Sequence, residues 1–198
     1  MADLFQLLPT IFLFLVIILF IITIVIVVRQ YGTLKRLLES QAAKRGGTVE
    51  RNYSTRLLRF LYHDFSVTVS ARQGSRYQPP ETKVNIMLHK LVPSKVTIHH
   101  GSLASRIGKA LGSQDIHIGS DEFDREFMMK GDDELFVRNL MNLTIQNKLL
   151  NMKPMKPHIL LNGTTLDVHV QKLLKTDEQY DQLIDLATAV LDRIQELH

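Results

Sequence analysis

Residues 11–28 read IFLFLVIILFIITIVIVV, eighteen positions that are apolar except for Thr23 and hold no charge, glycine or proline. At about 1.5 Å per residue a helix of this length covers about 27 Å, close to the ~30 Å hydrocarbon core of a bilayer. Leu7 and Leu8 can lengthen it at the N-terminal end. A cleaved signal sequence would open on basic residues and close on small ones. Here the first ten residues carry Asp3 and no Lys or Arg, and no A-x-A pattern follows closely. A buried core helix would be shorter and would keep a polar face. The stretch therefore reads as a retained transmembrane helix.

Its flanks set an expected orientation. Arg29, Lys35, Arg36, Lys44 and Arg45 follow the apolar run within the distance over which basic residues bias topology toward the cytoplasm, whereas the other flank offers only the terminal amine and Asp3. The expectation is a cell-membrane protein with its N-terminus outside and its C-terminal part in the cytoplasm. Tyr31 stands where an interfacial aromatic would. Within the run, Thr23 is the sole polar side chain, and neither a G-x-x-x-G pair nor an ionisable residue is present, so an ion or proton path has no support.

The formal charge of +4 is mild, and several bases already belong to the membrane flank. No arginine-rich run or aromatic-interleaved basic stripe is present, which argues against nucleic acid as a partner. The absence of Cys removes disulfides, thiolate nucleophiles and cysteine-based zinc sites. About 170 residues beyond the anchor suit one domain. The expected division is an anchor over 1–30, a juxtamembrane helical stalk over 31–46 and a soluble α+β domain over 47–198.

The stalk is read from Leu34, Leu37, Leu38 and Ala42 at helical spacing, stopped by Gly46-Gly47. Beyond it, Thr48 to Ser54 alternates like a first strand, and residues 56–64 suit either a strand or a short helix. Phe65, Val67 and Val69 alternate with Ser66, Thr68 and Ser70, the period of a half-buried strand. Gly74 and Pro79-Pro80 mark a loop, Val84, Ile86 and Leu88 a further strand, and Val96 and Ile98 another. Ser102 to Leu111 suggests a short helix ended by Gly112, and Phe123 to Met129 reads as a strand. Asp132-Asp133-Glu134 opens a helix with its acidic residues at the positive end of the dipole. Residues 158–161 and 165–171 form a hairpin signal across Asn162-Gly163. Thr176 and Gln179 make a capping box before a long amphipathic helix with Leu183, Leu186, Ala187, Val190, Leu191, Ile194 and Leu197 on one face. The predicted fold is α+β: an N-terminal transmembrane helix, an antiparallel sheet packed by helices, and a long C-terminal amphipathic helix that closes the core.

Catalytic signatures are weak. The segment Asp121-Glu122-Phe123-Asp124-Arg125-Glu126 lacks calcium-loop spacing. In a strand, Asp124 and Glu126 would share a solvated edge opposite Phe123 and Phe127. Adjacent His99 and His100 point to opposite faces of a strand and chelate one ion poorly. The GKALG run at 108–112 lacks the phosphate-loop pattern, and Ser102 and Ser105 have no nucleophile elbow. No cofactor is expected.

The run DIHIGSDEFDREFMMKGDDELFVRNLMNLTIQNKLL resembles a pattern in uncharacterised bacterial single-pass membrane proteins with a cytoplasmic domain of unknown function. The matching positions are Gly112, Asp115, Ile116, Gly119, Phe123, Asp124, Phe127, Gly131, Asp132, Asp133, Thr144, Leu149 and Leu150, with Met128-Met129 departing where a Val is usual. The resemblance implies a membrane-tethered α+β domain and brings no activity. Physically, Phe123 and Phe127 read as apolar anchors, Asp124 as a turn former, and Asp132 or Asp133 as a helix cap.

The functional expectation is a membrane-anchored cytoplasmic interaction or scaffold domain without catalysis, partnered by the bilayer and by a protein or a second copy of itself. The alternative is a tethered sensor of a small molecule or anionic lipid headgroup. A weaker one is a metal-dependent hydrolase using Asp121 and Asp124.

Overall fold

The computed structural model describes residues 2–52, 55–101 and 115–197, and at 2–11, 26–31 and 52 only the backbone is described. The expected helix at 102–111 with its Gly112 stop, the GKALG run, Tyr53, Ser54, and the side chains of Arg29 and Tyr31 lie outside the described residues. The described α-helices and strands are α1 (Ala2–Arg45), β1 (Thr48–Asn52), β2 (Thr55–Tyr62), β3 (Phe65–Arg72), β4 (Glu81–Met87), β5 (Val96–His100), α2 (Asp121–Glu126), β6 (Phe127–Gly131), α3 (Glu134–Leu140), α4 (Leu143–Asn151), β7 (His158–Asn162), β8 (Thr165–Val170) and α5 (Asp177–Glu196), with one 3-10 turn at Lys153–Met155.

The described strands form one antiparallel eight-stranded sheet in the order β1-β2-β3-β4-β8-β7-β5-β6. Alternation decides which side chains enter the core. Val67 faces Phe60 on one side and Ile86 on the other, Val69 faces Leu58 and Val84, and Val168 faces Val84 and Ile159. Their neighbours one residue along turn to the opposite face. The core face is covered by α1, α3, α4 and α5, whose buried side chains join the strands in a single cluster. The long helix α5 supplies Tyr180, Leu183, Leu186, Ala187, Val190 and Ile194 to it, and Thr176 caps its start by accepting from the N–H of Gln179 at 3.3 Å.

Helix α1 runs unbroken through the apolar stretch and into the domain. The side chains described in that stretch, at 12–25, are exposed on every face. Among the described residues no helix is long and apolar enough to cross a membrane.

The second half of α1 departs from the expected stalk over 31–46. Leu34, Leu38 and Ala42 are buried against the sheet and α5, and Gln41 has no exposed surface. One helical stripe at i, i+4 and i+8 is enough to dock a helix on a pre-existing core, although it is too short for a coiled coil. These side chains of the expected stalk join the same buried cluster as the strands. A second departure is at 123–129. Residues 121–126 form α2, and the strand begins only at Phe127. Phe123 and Phe127, four residues apart, stack with ring centroids 4.9 Å apart, a pairing that helical spacing allows and alternation would not reveal.

Candidate functional site

The face of the sheet turned away from the described helices is the candidate site. Register brings one row of side chains across it: Leu57 opposite Ser70, Ser70 opposite Lys83, Lys83 opposite His169, and His169 opposite His158. His99 continues the row on β5. The imidazoles of His158 and His169 stack with centroids 5.0 Å apart and planes 18° from parallel, and those of His99 and His158 at 6.0 Å and 16°. The next row carries Thr68, Asn85, Asp167, Leu160 and Thr97. Asp167 ties it together, accepting from Asn85 Nδ2 at 2.7 Å and pairing with Lys83 at 3.0 Å. Leu61 and Met87 stand exposed on the same face.

Three histidines in a row would repel one another if charged, and the face keeps them neutral. Burial, then the neighbouring His169, His99 and His100, pulls the pKa of His158 down to about 4. Burial and Lys130 lower that of His99 against the opposing charge of Asp115. Burial lowers that of His169, with Glu81 and Asp167 opposing and Lys83 assisting. At neutral pH the ladder is a strip of half-buried, uncharged donors and acceptors between apolar and ion-paired neighbours. Among the described residues no group of three or more His, Asp or Glu is placed to hold a metal ion. What the arrangement offers chemically is hydrogen bonding and flat contact area.

The residues singled out by sequence fall elsewhere, in two clusters. The first is the seam between α1 and α5. Lys44 and Arg45 both reach Asp181, at 2.9 and 2.8 Å, and the Arg45 guanidinium lies over the Phe60 ring, 5.8 Å from its centre. Lys35 pairs with Glu39 at 3.5 Å one turn along an exposed face, and Arg36 is exposed. The flank thus divides: its far end serves the protein and its near end faces outward.

The second cluster is the corner from 115 to 133. Asp124 accepts from the N–H groups of Ile118 at 3.1 Å and Gly119 at 3.0 Å, with Gly119 at a φ of +84°. Asp132 accepts from the N–H of Lys95 at 3.3 Å, and Asp133 caps α3 by accepting from the N–H of Phe136 at 3.0 Å. Asp115 lies partly buried beside this corner. Sequence reasoning missed Ser94, whose buried Oγ accepts from the N–H groups of both Asp132 and Asp133. It also missed the histidine ladder. Its members are scattered at 99, 158 and 169, and only sheet register unites them.

No family model matches the chain, and no curated protein matches it. Among solved structures it is similar to the crystal structure of the mycobacterial trehalose monomycolate transport factor A, TtfA, at 10% sequence identity and a TM-score of 0.57, over 82% of this chain and 94% of that one. At that identity the likeness is one of fold.

Proposed function

We propose that this chain is a single-pass, membrane-anchored interaction module, with its α+β domain in the cytoplasm and its open sheet face as the surface that receives a protein partner. The observation that carries the reading is α1. One helix carries the apolar residues 11–28 of the sequence straight into the domain's own core, so whatever covers that run also holds the domain rigidly, without a linker between them. An all-round apolar helix needs lipid or other helices to cover it. The basic flank supports the cytoplasmic assignment. The open face supports the interaction role, because it combines exposed apolar side chains with neutral hydrogen-bonding groups. A groove of about 230 Å³ beside Gly47, Phe60 and Leu61 is small and open for a ligand pocket, which favours a partner surface over a small-molecule sensor.

The test is mass determination of full-length protein purified in mild detergent, alongside Leu160→Arg and Leu61→Arg variants. A stoichiometric partner, or a self-association, that both variants lose while their unfolding temperature is unchanged supports the reading. A complex indifferent to both places the interface elsewhere.

The fold neighbour favours a narrower form of the same reading. That protein is named a transport factor, and an accessory subunit of a membrane transport assembly would need the same anchor and rigid cytoplasmic face. Recovery of a polytopic transporter as the stoichiometric partner supports it, and a partner without membrane spans sinks it.

A further inference from the structure

The domain has two ends, and on the β1–β4 side of the sheet the end nearer the apolar stretch is rich in arginine. β1 runs back beside α1 toward the apolar stretch, because the chain reverses at Gly46-Gly47. Register then assigns the ends of the other strands: Arg51 lies opposite Arg56, Thr55 opposite Arg72, and Arg72 opposite Glu81. All of these lie at the end from which α1 departs. At the far end lie the turn at 63–64, the loop at 88–95 and the Asn162-Gly163 turn, together with Asp132, Asp133 and Glu134.

Three features of the near end stand out. Arg51 and Arg56 face each other directly across β1 and β2, and neither makes an ion pair among the described residues. Like charges directly opposite on a sheet destabilise it unless an anion lies between or above them. Second, the connection between β3 and β4 closes as a tight turn. Ser75 and Gln78 exchange backbone hydrogen bonds, leaving Arg76 and Tyr77 at its tip. Third, Tyr77 is 87% exposed, an aromatic side chain with no protein cover.

Their height follows from α1. The Arg45 guanidinium lies over Phe60. Four strand residues back from Phe60, at about 3.3 Å each, reach Arg56. The same distance along α1, at about 1.5 Å per residue, reaches about Arg36, which leaves about 12 Å to the end of the apolar run at Val28. Arg56 and Arg51 thus stand about one Debye length from the hydrocarbon edge. The turn at 75–78 extends beyond Arg72 toward the bilayer, which brings Tyr77 to the headgroup layer, where tyrosine is enriched.

We propose that this end of the domain is a second membrane contact: Arg51, Arg56 and Arg76 face anionic lipid headgroups beside the Arg72–Glu81 ion pair, and Tyr77 inserts at the interface. This rests on the anchor reading above and adds to it a specificity for lipid charge. The far end, where Lys90 and Lys95 stand among Asp132, Asp133 and Glu134, offers no matching group of arginines.

The chain contains no Trp, so a single Tyr77→Trp substitution in the full-length protein makes a clean probe, with Leu91→Trp at the far end as its control. Both are reconstituted in vesicles of phosphatidylcholine alone or with phosphatidylglycerol, with lipids brominated near the headgroup as quenchers, and insertion is checked by resistance to alkaline carbonate. The proposal predicts strong quenching of the Tyr77→Trp probe, greater in the anionic vesicles, and little of the Leu91→Trp control. Adding Arg51→Gln and Arg56→Gln should weaken the docking roughly five-fold per charge removed. Carbonate-resistant protein whose two probes are quenched alike, or whose quenching ignores lipid charge, overturns the docking and leaves the anchor standing. Release of the wild-type chain by carbonate overturns the anchor, and the docking with it.

Discussion

Gln41 of α1, fully buried, donates through Nε2 to Oδ1 of Asp177 in the first turn of α5, 3.1 Å away. The same carboxylate accepts from Ser40 Oγ at 3.1 Å, and one turn on Asp181 takes both Lys44 and Arg45. The two longest helices are stitched along one seam. The seam runs from Ser40 to Arg45, the last residue of α1.

A seam that belongs to the core is costly to damage. Leu38→Ala is expected to destabilise the full-length protein by about 2–5 kcal/mol, the range for a buried leucine. Gln41→Leu removes a hydrogen bond to Asp177, whose carboxylate keeps Ser40 and solvent, and is expected to cost about 0.5–1.5 kcal/mol. Lys35→Ala, on the exposed side of the same helix, should stay within about 0.5 kcal/mol. Denaturant unfolding in detergent measures all three. Equal, negligible effects would mean that 31–46 is a free-standing stalk after all.

Asp124 holds the 115–124 loop through two backbone N–H groups, a charge-assisted arrangement. Asp124→Ala is expected to lower stability by about 1–3 kcal/mol. Chelator should leave the wild-type unfolding temperature unmoved, because the carboxylate is occupied by the protein's own amides. A fall in that temperature on adding EDTA would restore the metal-dependent hydrolase to consideration.

The histidine ladder predicts a pH dependence of definite sign. His158 has a folded pKa of about 4 against an ordinary value of 6.5. Between those values the unfolded chain binds a proton that the folded chain refuses, so stability falls as pH drops through that window and is fully present above it. His99 and His169 are shifted in the same direction. The unfolding temperature should therefore decline from pH 7.5 to pH 5, and His158→Gln should flatten the decline. Burial would raise the pKa of Asp181, but donation from Lys44 and the charge of Arg45 outweigh it and hold the carboxyl below its usual range. Its contribution is thus lost only at lower pH, clear of the histidine window. A pH profile that His158→Gln leaves unaltered would remove the ladder from the account.

Local patterns in the chain were legible where one interaction dominated. The alternation at 65–71, the Asn162-Gly163 turn with Gly163 at a φ of +61°, and the Thr176 cap each follow from a few neighbouring residues. The antiparallel sheet with helices on one side followed from the same signals. The parts that did not show in sequence depend on distant partners. The stripe Leu34, Leu38 and Ala42 was visible, but its burial against β2 and α5 needs residues 20 to 150 positions away. The segment at 121–126 has apolar residues at a spacing that suits either period, and Asp124 decided for a helix by binding backward to 118 and 119. The candidate face is the extreme case. β5 pairs with β7 and β6 rather than with β4, so histidines 59 residues apart in sequence, His99 and His158, become stacked neighbours.

The most direct test of the central claim is topology. The chain has no Cys, so single thiols introduced as Ala2→Cys and Ser66→Cys report side by side to a membrane-impermeant maleimide. The account predicts labelling of Ala2→Cys in intact cells and of Ser66→Cys only after permeabilisation. Labelling of Ser66→Cys in intact cells, or recovery of both proteins in the soluble fraction, would contradict a membrane-anchored cytoplasmic module.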